Sequence, residues 1–568
     1  MRVIWDGAGG RRVFQRPLDV IRADRPAEVP GALKAVEAAL AQGNHVAGCL
    51  GYELGYALEP RLVGRTSAGP LLRLGVFQAP ESRMPEPAGR AYAGPLTLEW
   101  DEAAYARRFA RVKAYIAAGD IYQANLSCRA HFPFLGDPLA LYERLRRESR
   151  AAHCAFADFF DEKMGGECQV LSLSPELFFD LAADGPITVR PMKGTLARHG
   201  DDAAERAQLA ASAKDRAENL MIVDLIRNDL SRIAEPGSVA VSDLFKIETY
   251  PTLHTMVSTV TARKRAGIGA ADILRALFPC GSITGAPKIR AMEILHELES
   301  SPRGAYCGAL GWFAPDGSAR FNVAIRTLTI CGDRGELGIG GGVVQDSDSA
   351  GEYAECRLKA RFFEQSRRPI ELIETLRHDR EFVRLDAHLA RMQNSAAALG
   401  LSFDEAAARA GLSEAVAGRT GPLRVRLTLD EQGAHRAAAH ELLPILNQEG
   451  PPHWTFRLAA QPTDSGDVLL RHKTSWREAY DQPHPDCDEL VFCNERGELT
   501  EGARSNLFIK RGDVLLTPPL ESGLLPGILR AELIEQGRAK EAVLAPADLD
   551  GEVYFGNSLR GLIRAVRL

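Results

Sequence analysis

Apolar residues recur at two different periods along the chain, so both strands and helices are predicted. In the first block, up to about residue 365, the segments 186–190 and 321–328 have the composition of strands. Apolar residues three or four apart within 217–233 predict an amphipathic helix with Leu220 and Leu230 on its buried face. Strands and helices do not alternate strictly. The pattern therefore favours an α+β fold, with large antiparallel sheets and flanking helices, over a doubly wound fold.

A second mixed block begins after a junction at residues 362–369. A charged helical stretch ends there in polar residues and a proline, and a new apolar run starts at Ile370. No long Gly/Ser linker lies between the blocks, so we predict two tightly joined α+β domains, 1–365 and 366–568. In the second block, 423–429, 488–493 and 506–509 are predicted strands, and 386–399 and 529–536 are predicted helices.

Composition and charge exclude several classes of protein. With 45% hydrophobic and 25% charged residues, the 568-residue chain is neither disordered nor collagen-like. A net charge of -6 gives no reason to expect nucleic acid or an anionic membrane as a partner. No apolar run approaches the roughly 18 residues that span a bilayer, and no signal peptide is visible. Ten scattered cysteines without a CxxC pair predict reduced thiols and a cytoplasmic location.

Two acidic pairs on predicted helices could hold a divalent cation. Glu352 and Glu355 are three residues apart, with Lys359 four residues further on, so the three share one helix face. Asp215 and Glu218 form the second pair, near the start of another predicted helix. Mg²⁺ prefers carboxylate oxygens of this kind. Solvated helix faces with local salt bridges remain the commoner explanation for such spacing.

Glycine-rich segments and two basic residues offer further binding groups. Segments 279–288 and 338–343 are predicted turns whose backbone amides could bind a carboxylate or phosphate. Arg326 could grip a carboxylate in a bidentate pair. Lys193 lies between a predicted strand and a glycine, and would be a candidate nucleophile if it were buried. Empty turns, a surface arginine and a solvated lysine are the plainer alternatives.

Together these segments resemble the chorismate-utilising enzymes, the family of the anthranilate synthase large subunit, aminodeoxychorismate synthase component I, and isochorismate and salicylate synthases. The segments occur in the family's order, between about residues 100 and 363. They are 120–127, 174–178, 191–195, 218–229, 281–288 and 346–355.

The resemblance implies a role for each residue. Glu218 and Glu355 would bind Mg²⁺, supported by Asp215 and Glu352, and the ion would hold the ring carboxylate of chorismate. Glu176 would donate the proton that the C4 hydroxyl needs in order to leave. The other implied substrate contacts are Lys359, Arg326, Tyr306, Thr284, His254 and the amides of Gly340, Gly341 and Gly342.

Lys193 distinguishes the branches of this family. The aminodeoxychorismate branch has Lys at this position, whereas anthranilate synthases have Ala. The family mechanism has this Lys attack C2 as the C4 hydroxyl leaves, after which ammonia adds at C4 and expels the Lys. Gln123 stands where isochorismate and salicylate synthases have a water-activating Lys, which argues against water as the nucleophile. Cys280 does not lie in a glutaminase-like elbow, so we expect ammonia from a separate glutamine amidotransferase subunit or from solution.

The second block carries residues suited to pyridoxal 5'-phosphate. This cofactor needs a Lys for a Schiff base, an acid beside its pyridine nitrogen, and donors for its phosphate. Lys473, Glu501 and the amides that open the helix at Ile528 could supply these in turn, although each alone is unremarkable.

In combination, these residues resemble the fold-type IV pyridoxal-phosphate enzymes, which include aminotransferases and aminodeoxychorismate lyase, over about residues 370–568. The resemblance implies that Lys473 binds the cofactor and acts as the base, while Glu501 keeps the pyridine nitrogen protonated. Arg391, Gly527, Ile528, Asn557 and Ser558 would bind the phosphate.

The two resemblances together imply a bifunctional enzyme of 4-aminobenzoate formation in the folate pathway. The first half would make 4-amino-4-deoxychorismate from chorismate and ammonia, and the second half would eliminate pyruvate from it. A homodimer through the C-terminal half is also implied. Two alternatives stay open: an anthranilate-type synthase with an attached aminotransferase, and a synthase whose C-terminal half is a catalytically silent dimerisation module.

Overall fold

The structure is a computed structural model that describes residues 1–7, 9–65, 70–83, 85–161, 165–249, 253–445, 453–484 and 486–568. The chain forms two compact units. The first comprises Met1–Pro85, Leu96–Phe132 and Tyr142–Ser366, and the second comprises Glu86–Pro95, Pro133–Leu141 and Arg367–Leu568. The second unit thus includes two short segments, 86–95 and 133–141, that come from the first sequence block.

Helices occur in both units. Among the described residues, the α-helices are Val29–Ala41, Leu54–Leu58, Glu102–Ala117, Pro138–Ser149, Asp202–Ala211, Ala213–Ser231, Ala270–Leu277, Lys288–Leu298, Ser349–Ser366, Leu385–Leu399, Glu405–Val416 and Ile528–Glu535. Short 3₁₀ helices lie at Pro26–Glu28, Pro60–Leu62, Gly281–Ile283, Val468–Arg471, Leu520–Ser522 and Pro546–Asp550. Among the described residues, no helix is both long and apolar enough to cross a membrane.

Two large sheets form the first unit. The first sheet has the strand order Gly285–Ala286, Gln123–Gly136, Arg334–Val343, Thr327–Cys331, Gly166–Ser174, His153–Asp161, Arg2–Gly7 and Gly10–Phe14, with Thr97–Leu98 also on Gln123–Gly136. The second has the order Met192–Ala197, Leu253–Arg263, Pro186–Arg190, Leu177–Leu181, Ala319–Asn322, Ala309–Phe313, His45–Leu50, Leu72–Phe77 and Asp19–Ala23, with Ala240–Thr249 on Leu253–Arg263. The neighbours in this second sheet are antiparallel, in agreement with the predicted α+β class.

The helix Ala213–Ser231 packs on the core of the first unit with the predicted face, of which Val223 and Ile226 are buried, except at Leu220. Ser212 caps it by accepting a hydrogen bond from the Asp215 amide, at 3.2 Å. Leu230 is buried as expected, whereas Leu220 is 46% exposed, so its predicted burial is wrong. The neighbouring Asn219 is buried instead, because its side-chain oxygen accepts a hydrogen bond from the Ser258 hydroxyl at 2.5 Å.

Two further local predictions are wrong. The predicted strand 321–328 is interrupted, because the chain leaves one sheet at Asn322 and enters the other at Thr327. Arg326 lies in this crossing with φ at +49°, outside any strand. The glycines of 338–343 are not a turn but part of the strand Arg334–Val343.

The second unit contains a small sheet and a barrel. The small sheet has the order Glu381–Phe382, Leu372–Asp379, Leu423–Leu429 and His435–Glu441, and Ala91–Ala93 pairs with residues 134–136 elsewhere in this unit. The larger sheet has the order Leu499–Gly502, Glu489–Cys493, His453–Leu458, Gly561–Arg567, Glu552–Asn557, Asn506–Arg511, Val514–Thr517 and Ala539–Glu541. Leu499–Gly502 also pairs with Asn506–Arg511, which closes a ring around buried apolar side chains such as Phe456 and Phe555.

One pair of cysteines departs from the prediction of reduced thiols. Cys168 and Cys331 lie directly opposite each other on neighbouring antiparallel strands, with their Cα atoms 4.4 Å apart, and form a disulfide. The prediction is therefore wrong for this pair. The chain brings together two thiols that lie 163 residues apart, so their separation in the sequence gave no hint of the bond.

Candidate active sites

The first site contains the two predicted acidic pairs. Asp215 and Glu218 come from the helix Ala213–Ser231, and Glu352 comes from the helix Ser349–Ser366. Burial raises the pKa of Glu218; the ammonium groups of Lys193 and Lys214 act to lower it, and the carboxylates of Asp215 and Glu352 act to raise it. The acids of the two helices therefore face one another closely enough to repel.

The second acidic pair is tied to a lysine and a serine. Lys359 Nζ lies 2.8 Å from Glu355 Oε1 and donates to the carbonyl of Gly340 at 2.9 Å. Desolvation acts to raise the pKa of Glu355, but the ammonium groups of Lys359, Lys193 and Lys214 together lower it below its ordinary value. The hydroxyl of Ser347 donates to Glu352 Oε1 at 2.6 Å. The predicted metal and substrate groups thus share one helix face.

The glycine strand brings the backbone next to these side chains. A Cβ atom on Gly341 would lie 3.2 Å from Glu352 Oε2, and one on Gly342 would lie 2.4 Å from Gln123 Nε2 and 3.4 Å from Lys193 Nζ. A side chain at Gly342 would collide with Gln123. Glycine at this position therefore lets Gln123 and Lys193 approach the strand.

Lys193 lies in the strand Met192–Ala197, close to a buried acid. The next residue, Gly194, has φ at +87°, and a Cβ there would lie 2.9 Å from Asp215 Cβ, which explains the glycine. Glu176 is only 3% exposed. Burial raises the pKa of Glu176 to about 7, although a hydrogen bond from Ser282 and the Lys193 ammonium act to lower it. Among the described residues, no group is hydrogen-bonded to Glu176 Oε1.

Tyr306 and Thr284 are both buried, but they face different groups. The Tyr306 ring packs where a side chain on Gly338 would otherwise be, and the Arg129 guanidinium lies 5.5 Å from the ring centre. The Thr284 hydroxyl donates to the carbonyl of Gly281 at 3.1 Å, within its own loop.

His254 is fully buried on the strand Leu253–Arg263. Its Nδ1 lies 2.9 Å from the Thr249 hydroxyl and its Nε2 lies 3.2 Å from Glu205 Oε2. Asp202, Glu205 and His254 offer ligand atoms within 4.8 Å of one another. Among the described residues, no three of the four predicted Mg²⁺ ligands approach one another that closely.

The second site contains Lys473. The Ile373 amide donates to its carbonyl at 2.8 Å, which fixes the backbone beside the strand Leu372–Asp379. Burial lowers the pKa of Lys473 to about 8, and the guanidinium groups of Arg477 and Arg391 lower it further. The carboxylates of Glu374 and Glu501 act in the opposite direction. A larger fraction of this lysine is neutral near pH 8 than of an ordinary lysine.

Glu501 is buried with both carboxyl oxygens occupied. Oε1 accepts from the Tyr480 hydroxyl at 2.6 Å and from the Leu525 amide at 2.9 Å, while Oε2 accepts from Asn506 Nδ2 at 3.1 Å. Burial raises its pKa to about 7, although the hydrogen bonds from Tyr480 and the Leu525 amide act to lower it. The group is thus poised between its two charge states.

Arg391 is fixed by a bidentate pair with Glu374. Nε and Nη2 donate to the two carboxyl oxygens at 2.8 and 2.7 Å, and Nη1 donates to the carbonyl of Pro526 at 3.1 Å. His388 Nδ1 donates to Glu374 Oε2 at 2.6 Å, and its Nε2 lies 2.8 Å from the Ser558 hydroxyl. These contacts bring Arg391 next to residue 527 and connect it to Ser558.

The predicted amide cradle begins at Gly527, before the helix Ile528–Glu535. A Cβ on Gly527 would lie 1.7 Å from Asn506 Oδ1, so no other residue fits without a shift. Asn557 accepts a hydrogen bond from the Arg560 amide at 2.9 Å. Its Nδ2 donates to the carbonyl of Arg504 at 3.4 Å.

Several residues of these sites were missed by the sequence analysis: Glu374, His388, Tyr480 and Arg477 in the second site, and Ser282 in the first. A signal existed for two of them. His388 lies three residues before Arg391, so the two share a helix face. Glu374 is the acid within an apolar run, and a buried acid requires a cationic partner.

Comparison with known proteins agrees with both resemblances. Residues 2–365 match the family described as chorismate binding enzyme, and residues 371–568 match class IV amino-transferases. Aminodeoxychorismate synthase component 1 of Klebsiella aerogenes is 49% identical over 254 residues, which are 44% of this chain and 55% of that protein. Anthranilate synthase component 1 of Streptomyces coelicolor is 40% identical over 269 residues, which are 47% of this chain and 51% of that protein.

The chain therefore spans about half the length of these curated relatives. Among solved structures, anthranilate synthase component I from Streptococcus pneumoniae is 24% identical and covers 64% of this chain and 89% of its own, with a TM-score of 0.52. That likeness supports the fold of the first block, and the predicted α+β class is confirmed. Since the first family match extends over more than half of the residues, the chain belongs to the chorismate binding enzyme family.

Proposed function

We propose that this chain makes 4-aminobenzoate in two steps. The domain 1–365 converts chorismate and ammonia to 4-amino-4-deoxychorismate, and the domain 366–568 eliminates pyruvate from that product. The observation that carries the proposal is the presence, in each half, of one lysine beside one buried glutamate: Lys193 with Glu176, and Lys473 with Glu501.

In the first step, Glu176 donates the proton that the departing C4 hydroxyl requires. With a pKa of about 7, a large fraction of Glu176 is protonated at neutral pH, and its Oε1 has no hydrogen-bond partner among the described residues. Lys193 forms a bond to C2 as the C4–O bond breaks. Ammonia then adds at C4, and the bond from C2 to Lys193 breaks.

The acids of this site suit Mg²⁺, because one or two protein carboxylates usually hold this ion together with substrate oxygens and water. Burial and the carboxylates of Asp215 and Glu352 raise the pKa of Glu218 against the opposing ammonium groups of Lys193 and Lys214, and a bound cation would relieve the repulsion between the carboxylates. Glu218 and Glu355 would hold it, with Asp215 and Glu352 in support. Mg²⁺ would neutralise the ring carboxylate of chorismate. Lys359, Arg326, Tyr306, Thr284, His254 and the amides of Gly340, Gly341 and Gly342 would complete the substrate site.

The second site fits pyridoxal 5'-phosphate. Arg391, Ser558, Asn557 and the amides of Gly527 and Ile528 would hold the phosphate, and Glu501 would face the pyridine nitrogen. When bound, this cofactor supplies an electron sink. Lys473, whose pKa burial lowers to about 8, removes the proton from C4 of the substrate. Loss of the enolpyruvyl ether as pyruvate leaves an aromatic ring.

Partners follow from the same proposal. A glutamine amidotransferase subunit would supply ammonia, which agrees with the words "component 1" in the relative's name. We also propose a homodimer through the second domain and a cytoplasmic location.

Product analysis tests the proposal. The protein is incubated with chorismate, Mg²⁺ and ammonium, with and without pyridoxal phosphate, and the products are separated by chromatography. We expect 4-aminobenzoate and pyruvate with the cofactor, and 4-amino-4-deoxychorismate without it. A Lys193→Ala variant should lose the first step, and unchanged turnover would remove the covalent role of Lys193.

The similarity to anthranilate synthase component 1 names the product that would contradict the proposal. Anthranilate as the product would assign this chain to that branch and contradict the proposal. If 4-amino-4-deoxychorismate accumulated even with the cofactor present, the second half would be a non-catalytic dimerisation module.

A further inference from the structure

Four arginines lie on, or on strands paired with, segments that carry residues of the second site. Arg377 and Arg424 are register partners on the antiparallel strands Leu372–Asp379 and Leu423–Leu429, so their side chains leave the same face of the small sheet. Arg424 and Arg504 are also close enough to Arg560 to act on its charge: burial lowers the pKa of Arg560, and these two guanidinium groups lower it further. Arg377, Arg424, Arg504 and Arg560 are called the arginine patch below.

The patch has more cationic groups than anionic neighbours. Among the described residues, Arg424, Arg504 and Arg560 form no ion pair with a carboxylate; the side chains of Arg504 and Arg560 donate to the carbonyls of Asp488 and Leu443, at 2.6 and 3.0 Å. Arg377 has Asp379 at 3.3 Å, and Arg504 lies close enough to Glu489 for its charge to act to lower the pKa of that buried carboxyl, whose Oε2 also accepts from the Arg504 amide at 3.3 Å. Like charges held together in this way repel, and an incoming anion would relieve the repulsion.

The patch is connected to the second site at three points. Arg504 lies in the short turn between Glu501 and Asn506, which pair across their strands. The Arg560 amide donates to Asn557, in the loop that also carries Ser558. Arg377 follows Glu374, which holds Arg391, by three residues in one strand, so its side chain leaves the sheet face opposite to that of Glu374. The patch is therefore built from the same segments that position the catalytic and phosphate-binding groups.

We propose that the arginine patch binds a carboxylate of the substrate of the second site. The inference rests on the proposed lyase function, whose substrate carries a ring carboxylate and an enolpyruvyl carboxylate. A guanidinium suits a planar carboxylate because its N–H groups can donate to both oxygens. In the proposed site, Arg391 and the amides of Gly527 and Ile528 hold the cofactor phosphate, so the patch is available for the substrate. Binding of its carboxylates there would select acidic substrates.

The test compares three forms of the full-length protein loaded with pyridoxal phosphate: wild type, the double variant Arg424→Gln/Arg560→Gln, and the control Arg436→Gln. Arg436 is 74% exposed on the adjacent strand of the small sheet. Pyruvate release from supplied 4-amino-4-deoxychorismate gives KM and kcat. We expect the double variant to raise KM at least about tenfold, with kcat changed less than about threefold, since hydrogen bonds to a charged group are lost. The control should match the wild type.

A second readout does not depend on turnover. Isophthalate is an aromatic dicarboxylate without an amino group, so it cannot react with the cofactor. Its binding is followed through the absorbance of the bound pyridoxal phosphate, which reports only on this site. The double variant should bind isophthalate about tenfold more weakly, and Arg424→Lys/Arg560→Lys should recover part of the affinity, since it restores the charge but not the fork.

The outcomes separate the two proposals. If the wild type releases no pyruvate, the lyase function fails, and the isophthalate titration still decides whether the patch binds carboxylates. An unchanged KM together with an unchanged isophthalate affinity in the double variant would overturn the patch. A weaker affinity for pyridoxal phosphate with an unchanged KM would also overturn it, because the patch would then serve the cofactor phosphate.

Discussion

Glu176 and Glu501 are both buried carboxyl groups whose pKa burial raises to about 7, yet their surroundings differ. Glu501 receives hydrogen bonds from Tyr480, Leu525 and Asn506. Glu176 Oε1 has no such partner in the part of the chain that the structure describes. A similar pKa therefore serves two purposes. An acid with a free oxygen can deliver a proton to a substrate, whereas one held by three donors keeps a fixed position beside a permanent partner.

The largest expected effect tests whether the two sites catalyse separate steps. Lys473→Ala removes the amine that we propose as the base of the second site, so pyruvate release should fall by at least roughly 10²–10⁴-fold. Chorismate consumption should be unchanged, and 4-amino-4-deoxychorismate should accumulate. Chromatography of the products measures both. The control Lys510→Ala removes an exposed lysine that lies 3.6 Å from Glu552 and should behave as wild type. Pyruvate release at the wild-type rate by the Lys473 variant would refute its assignment.

The next largest effect tests whether Glu176 donates a proton to the substrate. Glu176→Gln cannot donate the proton, so the rate of chorismate consumption should fall roughly 10²–10⁴-fold. In the wild type this rate should also decline as the pH rises through about 7, because Glu176 then loses its proton. The variant should lack that decline.

The same molecule supplies the control for Glu176→Gln. Pyruvate release from added 4-amino-4-deoxychorismate should be unchanged in the variant, since Glu501 and Lys473 remain. A rate of chorismate consumption within a fewfold of the wild type would show that the buried position of Glu176 has no catalytic use.

Glu374 is a third buried carboxyl group, and it differs from Glu176 and Glu501 because it has cationic partners. Burial acts to raise the pKa of Glu374, but Arg391 and His388 outweigh it and hold this pKa at about 2, below the ordinary value of 4.5. A lowered pKa adds stability that is fully present above pH 4.5 and is lost as the pH falls towards 2. The difference corresponds to about 3 kcal/mol.

Glu374→Gln should therefore reduce the free energy of unfolding of the second unit by about 3 kcal/mol at pH 7, because Arg391 loses its counter-charge. Urea unfolding measures the change. The acid-dependent loss between pH 4.5 and 2 should also be smaller in the variant. The control Glu405→Gln, on an exposed helix position, should leave the stability unchanged within about 0.5 kcal/mol. Equal stabilities of the two variants would contradict the buried pair.

The sequence predicts the regular elements of these sites better than their contacts. The strand 423–429 has the predicted bounds, because apolar and polar residues alternate along it. The run 321–328 has a similar composition, but the chain changes sheets at 323–326, and no local pattern contains that crossing. The glycines of 338–343 suggest a turn, whereas Gly342 is needed because Gln123 and Lys193 approach a strand there.

The candidate site residues were identified through the family resemblance, because no local pattern shows which of them lie together. Lys473, Arg391 and Glu501 are separated by up to 110 residues, and only the fold brings their charges within reach of one another. Tyr480 was missed because nothing in its neighbourhood shows that its hydroxyl meets Glu501. Ser282 was missed as a donor to Glu176 for the same reason. Hydrogen bonds between residues far apart in the chain are therefore the part of the site that the sequence does not predict.

The smallest expected effect concerns the donor that most directly separates Glu501 from Glu176. Tyr480→Phe removes the hydrogen bond of 2.6 Å to Glu501 Oε1, which acts to lower the pKa of Glu501. The pKa of Glu501 should rise further, so that the acid is less often charged beside the pyridine nitrogen. We expect the affinity for pyridoxal phosphate to fall about tenfold, measured by absorbance titration. The matched control is Tyr554→Phe, which removes a hydrogen bond of the same 2.6 Å length, to the surface residue Glu552. If both variants bind the cofactor as the wild type does, the Tyr480 hydrogen bond does not tune Glu501, and the proposed contrast with Glu176 fails at this donor.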